Sequence, residues 1–319
     1  MSMIDVFNGD ADGICALHQL RLQSPSENIL VTGVKRDINL LRRVDAAKDD
    51  HVTVLDISLD KNRVDLQRLL DGGVQVSYFD HHFAGKIPEH PNLDAHIDTS
   101  SDVCTSLLVN GYLKGQYVAW AVTAAFGDNL ADSAYKLSSA LAINNKELNL
   151  LQELGTYINY NGYGSRVDDL FFHPAELYIQ IKPFKDPFIF INESSSFAVL
   201  KEGYAEDMAK AAGVTAEIER ESFAVFVLPD SVWSRRVSGV YANNLANNFP
   251  DRAHAILTRQ DGNSFVVSVR APLSNKTGAD EVCRQFKSGG GRMAAAGINN
   301  LPQGEFDNFV AVMGKRFGG

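Results

Sequence analysis

The chain has 319 residues, 45% of them hydrophobic and 22% charged, with a formal net charge of −9, enough apolar content for one large core or, as expected at this length, two of ordinary size. No apolar run approaches the roughly 20 residues that span a bilayer, and the amino terminus lacks the basic, apolar and small-residue zones of a secretory leader, so a cytoplasmic protein is expected. Cys15, Cys104 and Cys283 are odd in number, far apart and without Cys-x-x-Cys spacing, which argues against a disulfide framework and a thiolate zinc site.

Charge is unevenly placed. Residues 1–230 carry 19 Lys and Arg against 33 Asp and Glu, whereas residues 231–319 carry 11 against 6. An acidic front part suited to cations is joined to a basic end suited to anions.

Met3 to Phe7 reads as a strand, and Asn8-Gly9-Asp10-Ala11-Asp12-Gly13 turns out of it into a helix through Ile14, Leu17 and Leu20. Asn28 to Val34 predicts a second strand, Ile38 to Ala47 a polar-faced helix, and His51 to Asp56 a third strand that delivers an aspartate at its carboxyl end. A helix around Val64, Leu66, Leu69 and Leu70 leads through Gly72-Gly73 to a fourth strand, in which Val74, Val76 and Tyr78 alternate ahead of Asp80-His81-His82. Strands alternating with helices at this spacing imply a parallel sheet with right-handed crossovers. Asp10 and Asp12, Asp56, and Asp80-His81-His82 therefore end on one edge, where open α/β sheets place ligands.

Helices are expected over Asp102 to Leu113, Tyr117 to Phe126, Tyr135 to Ile143 and Glu147 to Tyr157, with Asp128 just past the second. Tyr157 to Gly164 is aromatic and glycine-rich and reads as a structured loop whose rings could stack on a base. The connector is expected to hold a strand-like piece, Phe188 to Ile191, and a helix with Met208 and Ala211. Phe223 to Leu228 begins a second set of strands, Arg252 to Thr258 and Ser264 to Arg270 form a hairpin about Asp261-Gly262-Asn263, and helices over Gly278 to Lys287 and Gly304 to Phe317 flank Gly289-Gly290-Gly291-Arg292. His18, His51, His90, His96, His173 and His254 have no partner at ligand spacing and are read as structural.

Carboxylate oxygens and imidazole nitrogens without thiolate suit Mn²⁺ or Mg²⁺, and the histidines tilt the choice to Mn²⁺. Two such ions about 3.5–4 Å apart can activate a water and stabilise both oxygens of a phosphoryl displacement. Three consecutive glycines let a backbone approach an anion closely, and Arg292 can grip a phosphate bidentately. Arg270 and Lys276 are further candidates for the same phosphate.

Asp10-x-Asp12-Gly13, Asp56 after a strand, Asp80-His81-His82, Asp128 after a helix, and Gly289-Gly290-Gly291-Arg292 with Ala295-Ala296-Gly297 resemble, in order and over essentially the whole chain, the DHH–DHHA1 phosphoesterases. The resemblance implies an α/β protein. Residues 1–185 would be a parallel-sheet metal-binding catalytic domain with flanking helices, 186–222 a connector, and 223–319 a smaller α/β substrate-binding domain folding over it. It implies that Asp10 and Asp56 bind a first ion and Asp12, Asp56, His81 and Asp128 a second, with Asp80 orienting the imidazoles and His82 facing the substrate phosphate.

The pattern departs at Asn8, where relatives place His or a third Asp; as a ligand of the first ion Asn8 offers only its neutral amide oxygen, so that ion is expected to be weakly held, and many relatives have His where this chain has Arg292, whose guanidinium favours a terminal 5′-phosphate. The expected activity is Mn²⁺-dependent hydrolysis of linear dinucleotides such as pGpG, or very short 5′-phosphorylated oligoribonucleotides, to mononucleotides. No long nucleic acid or membrane partner is expected, and the chain would act alone or as a homodimer. The competing readings are a nucleotide 3′-phosphatase acting on a bisphosphorylated nucleoside, a polyphosphatase, and a nucleotide sensor without catalysis.

Overall fold

A computed structural model describes residues 1–318, which divide into two compact units that meet in sequence between residues 202 and 203. The first unit opens with β1 (Met3–Phe7), α1 (Ala11–Gln23), β2 (Ile29–Val31), β3 (His51–Leu55), α2 (Leu59–Asp71), β4 (Gln75–Asp80) and β5 (Leu93–Ile97). The five strands pair in the order β2-β1-β3-β4-β5, every pair parallel, as the alternation of strands and helices requires. The order reverses between β1 and β3, and a crevice at the carboxyl ends of strands about such a reversal is where doubly wound sheets hold ligands.

Alternate residues of each strand explain how the sheet is covered. Ile4, Val6, Val52, Val54, Val76 and Tyr78 are buried with Leu66, Leu69 and Leu70 of α2 on one face. On the other, Arg21 of α1 reaches Asp5 of β1, placing Nε 2.9 Å from Oδ2 and Nη2 2.5 Å from Oδ1, and Nη2 also donates to Thr53 Oγ1 of β3 at 3.1 Å. Asp5 is 1% exposed, so its charge is carried inside the protein by this fork and by Asn28 Nδ2 at 2.9 Å.

A helical layer follows: α3 (Thr105–Tyr112), α4 (Val118–Gly127), α5 (Ala131–Ser138), α6 (Asn145–Gly162), α7 (Pro174–Ile181) and α8 (Pro187–Glu193). The crossing of α4 and α6 is close because Gly155 has no side chain; a Cβ there would sit 2.0 Å from the Thr123 carbonyl. Gly155→Ala must push α6 away from α4, the helix that ends beside Asp128, and a loss of about 1–3 kcal/mol is expected from such overpacking. Urea denaturation checks this, and an unchanged midpoint would show that the crossing relaxes freely.

Helix α9 (Ser195–Ala212) runs across the unit boundary, and β6 (Ile218–Glu219), β7 (Phe223–Leu228), α10 (Val232–Asn248), β8 (Ala253–Gln260), β9 (Ser264–Arg270), α11 (Ala279–Cys283), β10 (Gly289–Gly291), β11 (Ala295–Pro302) and α12 (Phe306–Phe317) complete the chain. The second sheet runs β10-β11-β9-β8-β7-β6, with only β7 and β8 parallel. Its core packs Val225, Leu257, Val267 and Ile298 against Val282, Phe309 and Met313.

Three local expectations need correction. Ile38 to Ala47 is not a helix; only Leu40–Arg43 makes a 3₁₀ turn, seating Leu40 and Leu41 in the sheet core. Tyr157 to Gly162 is the end of α6 and not a loop; Tyr157 and Tyr160 are 7% and 0% exposed, so neither ring can stack on a base. Phe188 to Ile191 is helical, because Asp186 accepts from the Phe188 amide as N-cap and Pro187 occupies the first turn. Helix α10 was not anticipated, and neither was the edge strand β5.

Candidate metal centre

Each acidic group is positioned by the end of an element. Asp10 caps α1, its Oδ1 accepting from the amides of Asp12 at 3.0 Å and Gly13 at 3.1 Å. The turn is tight enough that a Cβ on Gly13 would lie 2.2 Å from the Asn8 carbonyl, which makes glycine obligatory there. Asp12, in the first turn of the same helix, is gripped at 2.7 Å on Oδ2 by the amide of Thr105 and at 2.7 Å on Oδ1 by that of Ser106. The amino terminus of α3 thus faces a carboxylate, as its dipole favours.

Asp56 follows β3 with φ +59°, a left-handed conformation that Asp and Asn tolerate better than other non-glycine residues. Its Oδ1 accepts from Thr105 Oγ1 at 3.3 Å. Asp128 caps the carboxyl end of α4. His81, one residue beyond β4, brings these acids together: its Nε2 lies 3.4 Å from Asp56 Oδ1, 3.8 Å from Asp128 Oδ2 and 3.9 Å from Asp12 Oδ2. His81 Nδ1 sits 2.9 Å from the Val103 carbonyl, which fixes the proton on Nδ1 and turns the lone pair of Nε2 toward the carboxylates. His82 Nδ1 lies 2.7 Å from Asp80 Oδ1, so the fully buried Asp80 orients this imidazole.

Two sets of ligand atoms result, Asp12 with His81 and Asp128, and Asp56 with His81 and His82, each lying within 4.8 Å of one another. Burial raises the Asp56 carboxyl well above the ordinary range, and Asp10, Asp12, Asp128 and Asp80 add to the shift. Burial likewise raises Asp12, helped by Asp128 and Asp10, while His81 and the Ser106 amide oppose it. Carboxylates held this close together in a buried site call for a cation, and oxygen ligands with one or two imidazoles fit Mn²⁺ or Mg²⁺. Burial raises Cys15 and Cys104 far above the usual thiol range, so no thiolate competes.

Asp10 stands apart from both sets. Its Oδ2 is paired at 2.5 Å with Lys35 Nζ, a residue not anticipated from the sequence although it follows β2 on the same sheet edge. Asn8 donates from Nδ2 to the Lys35 carbonyl at 3.2 Å, and its buried Oδ1 has no hydrogen-bond partner among the described residues. Thr105, Ser106 and Asn159 were also unread.

The second unit holds the expected phosphate-binding residues. Gly289, Gly290 and Gly291 form the short edge strand β10 paired with Ile298, Gly297 and Ala296, not an open loop. The Gly289 amide donates to Phe286 O at 2.9 Å, so it is not available to an anion. Arg292, in the turn that follows, and Lys276 have exposed side chains. Arg270 is instead partly engaged, with Nε 2.6 Å from Asn243 Oδ1 and Nη1 3.0 Å from Ser268 Oγ. The remaining histidines have structural partners, as His18 shows: its Nε2 bonds the Phe184 carbonyl at 2.8 Å, its ring packs edge-on against Trp120, and burial lowers its pKa to about 4. No helix among the described residues is long and apolar enough to cross a membrane.

Comparison with known proteins places the arrangement. Residues 220–319 match the DHHA1 domain family, and no curated protein matches the sequence. The manganese-bound exonuclease RecJ is similar over 98% of this chain and 88% of its own, at 15% identity and a TM-score of 0.64. RecJ of Thermus thermophilus, in complex with Mn²⁺, aligns with 98% of this chain at 17% identity and a TM-score of 0.66, and this chain spans about half, 51%, of its length. The pGpG-specific phosphodiesterase PggH of Vibrio cholerae aligns over 98% of this chain and 99% of its own, at 12% identity and a TM-score of 0.54. At these identities the likeness is one of fold. The carboxyl-terminal part, residues 220–319, is thus a DHHA1 domain, and the sheet that ends in Asp80-His81-His82 ahead of it shares its fold with RecJ and PggH.

Proposed function

We propose that the protein is a Mn²⁺-dependent phosphodiesterase that cuts linear dinucleotides such as pGpG, or very short 5′-phosphorylated oligoribonucleotides, to mononucleotides. The observation that carries this reading is the convergence of Asp12, Asp56 and Asp128, from three separate segments, on the buried Nε2 of His81. A divalent ion bound there would supply Lewis-acid stabilisation of the charge that builds on a phosphoryl group. His82 is one-third exposed, at 33%, and with Nδ1–H held by Asp80 its imidazolium form would donate from Nε2 to a phosphate oxygen. Phe83, the next residue, is 72% exposed and offers a ring for a base to stack on. Arg292, exposed in the second unit, has a guanidinium of the kind that suits a terminal 5′-phosphate. The fold shared with PggH along its whole length supports the dinucleotide class, and three buried free cysteines suit a cytoplasmic setting.

The fold likeness to RecJ, an exonuclease, carries the higher TM-score, which makes cleavage of a longer single strand the second reading. One panel separates the two. The purified chain is incubated with Mn²⁺ and pGpG, with a longer RNA or single-stranded DNA, or with a nucleoside 3′,5′-bisphosphate. The expected result is two mononucleotides from pGpG, little loss of the long strands, and no turnover in EDTA. Release of inorganic phosphate from the bisphosphate alone would make the protein a phosphomonoesterase, and tight pGpG binding without turnover would make it a sensor.

A further inference from the structure

The metal-centre reading, on which this inference rests, leaves one charged group in the cluster without a role. Lys35 Nζ lies 2.5 Å from Asp10 Oδ2, 3.0 Å from Asn159 Oδ1 and 3.5 Å from Asp128 Oδ1, one oxygen for each N–H of an ammonium. The ring of Tyr163 adds a face 5.5 Å from the nitrogen. The backbone of Lys35 is fastened on both sides, its amide donating to Gly162 O at 2.8 Å and its carbonyl accepting from Asn8 Nδ2 at 3.2 Å. Asn8 stands where the resemblance leads one to expect His or Asp, and a carboxylate there would have no N–H to offer that carbonyl. The unusual residue at position 8 and the lysine are therefore coupled by a direct hydrogen bond.

Oxygens from three separate segments hold this ammonium in place. A cation thus already sits on Asp10, and a divalent ion on the same carboxylate would be repelled by it. Asp128 faces both ways, with Oδ1 toward Lys35 and Oδ2 toward His81.

We propose that the ammonium of Lys35 is a resident cation of this centre, occupying the Asp10 side of the cluster where a second metal ion would otherwise bind, so that the protein holds a single divalent ion on Asp12, Asp56, His81 and Asp128. The centre is then a mixed one: one exchangeable ion and one fixed organic cation share Asp128, and Asn8 and Asn159 position the fixed one.

The test reads stoichiometry, not turnover. Full-length protein is dialysed against saturating Mn²⁺, and bound manganese per chain is measured by atomic emission, with frozen-solution electron paramagnetic resonance as the second signature. The wild type is expected to hold one Mn²⁺ per chain and to show the six-line spectrum of an isolated ion. Lys35→Met is expected to rise to two with an exchange-coupled spectrum, and Lys35→Arg, which keeps the charge, to stay at one. Two ions in the wild type would overturn the role of Lys35 and leave the metal centre standing, whereas no bound manganese would remove the centre itself. A Lys35→Met protein that folds yet still binds one ion would also overturn it, and should that variant fail to fold, the wild-type ratio decides alone.

Discussion

Asp56→Asn is expected to abolish Mn²⁺-dependent turnover and at the same time to make the metal-free protein more stable at neutral pH. Asn keeps the left-handed backbone, the size and the acceptor for Thr105 Oγ1, so the substitution removes a charge and little else. Loss of a hydrogen bond behind a metal ligand typically costs about 10–100-fold; loss of a ligand itself should exceed the upper figure. Stability moves the other way. The ordinary pKa of the Asp56 carboxyl is 3.8 and the fold raises it well above that value, through burial first and then through Asp10, Asp12, Asp128 and Asp80. Between those two values the folded protein keeps a proton that the unfolded chain has released, so the stability of the metal-free protein falls as pH rises through that interval. An asparagine does not titrate. In EDTA the melting temperature of the variant should therefore lie above that of the wild type at neutral pH, by about 2–4 °C for each kcal/mol relieved, and decline less steeply between pH 5 and pH 8, an interval set only for the measurement. Some slope should persist, because Asp12 is raised by the same causes. Turnover within tenfold of wild type, or a lower melting temperature in EDTA, would contradict the assignment of Asp56.

Arg21→Met is expected to be the most damaging substitution away from the centre, at about 3–5 kcal/mol. It leaves Asp5, 1% exposed in the middle of β1, with only Asn28 in place of a two-pronged guanidinium. The size of the loss reflects the stranded carboxylate and not the worth of the pair, so Asp5→Leu combined with Arg21→Met should recover most of it. Urea midpoints of the two single variants and the double variant check this; a double variant as weak as Arg21→Met would mean that Arg21 acts through packing.

The sheet edge was readable because its signals are local. Val74, Val76 and Tyr78 alternate by two and the next polar residues must fall at the strand end, and the same holds for Asp56 after Val52 and Val54. What the sequence could not display is any partner brought in from a distance. The amides of Thr105 and Ser106 grip Asp12 across more than ninety residues of chain, and nothing about a threonine and a serine opening a helix marks them for that task. Lys35 left a weak trace, since an ordered parallel sheet delivers the residues after β2 to the same edge as those after β1 and β3. Within the acidic cluster Asn8 signalled a departure, and its explanation needed the Lys35 carbonyl 27 residues away. The misread segments failed for a different reason. Asn159, Asn161 and Gly162 are poor helix formers, yet α6 continues through them because Asn161 bonds both the amide and the carbonyl of Phe172 and Gly162 packs against Asp10; tertiary bonds override propensity there.

Because Asp12, Asp56, His81 and Asp128 come from the start of α1, the end of β3, the end of β4 and the end of α4, no partly ordered chain offers the set. A metal ion bound there would grip only the folded first unit, so it would do little to hasten folding and would act instead as a latch that slows escape from the native state.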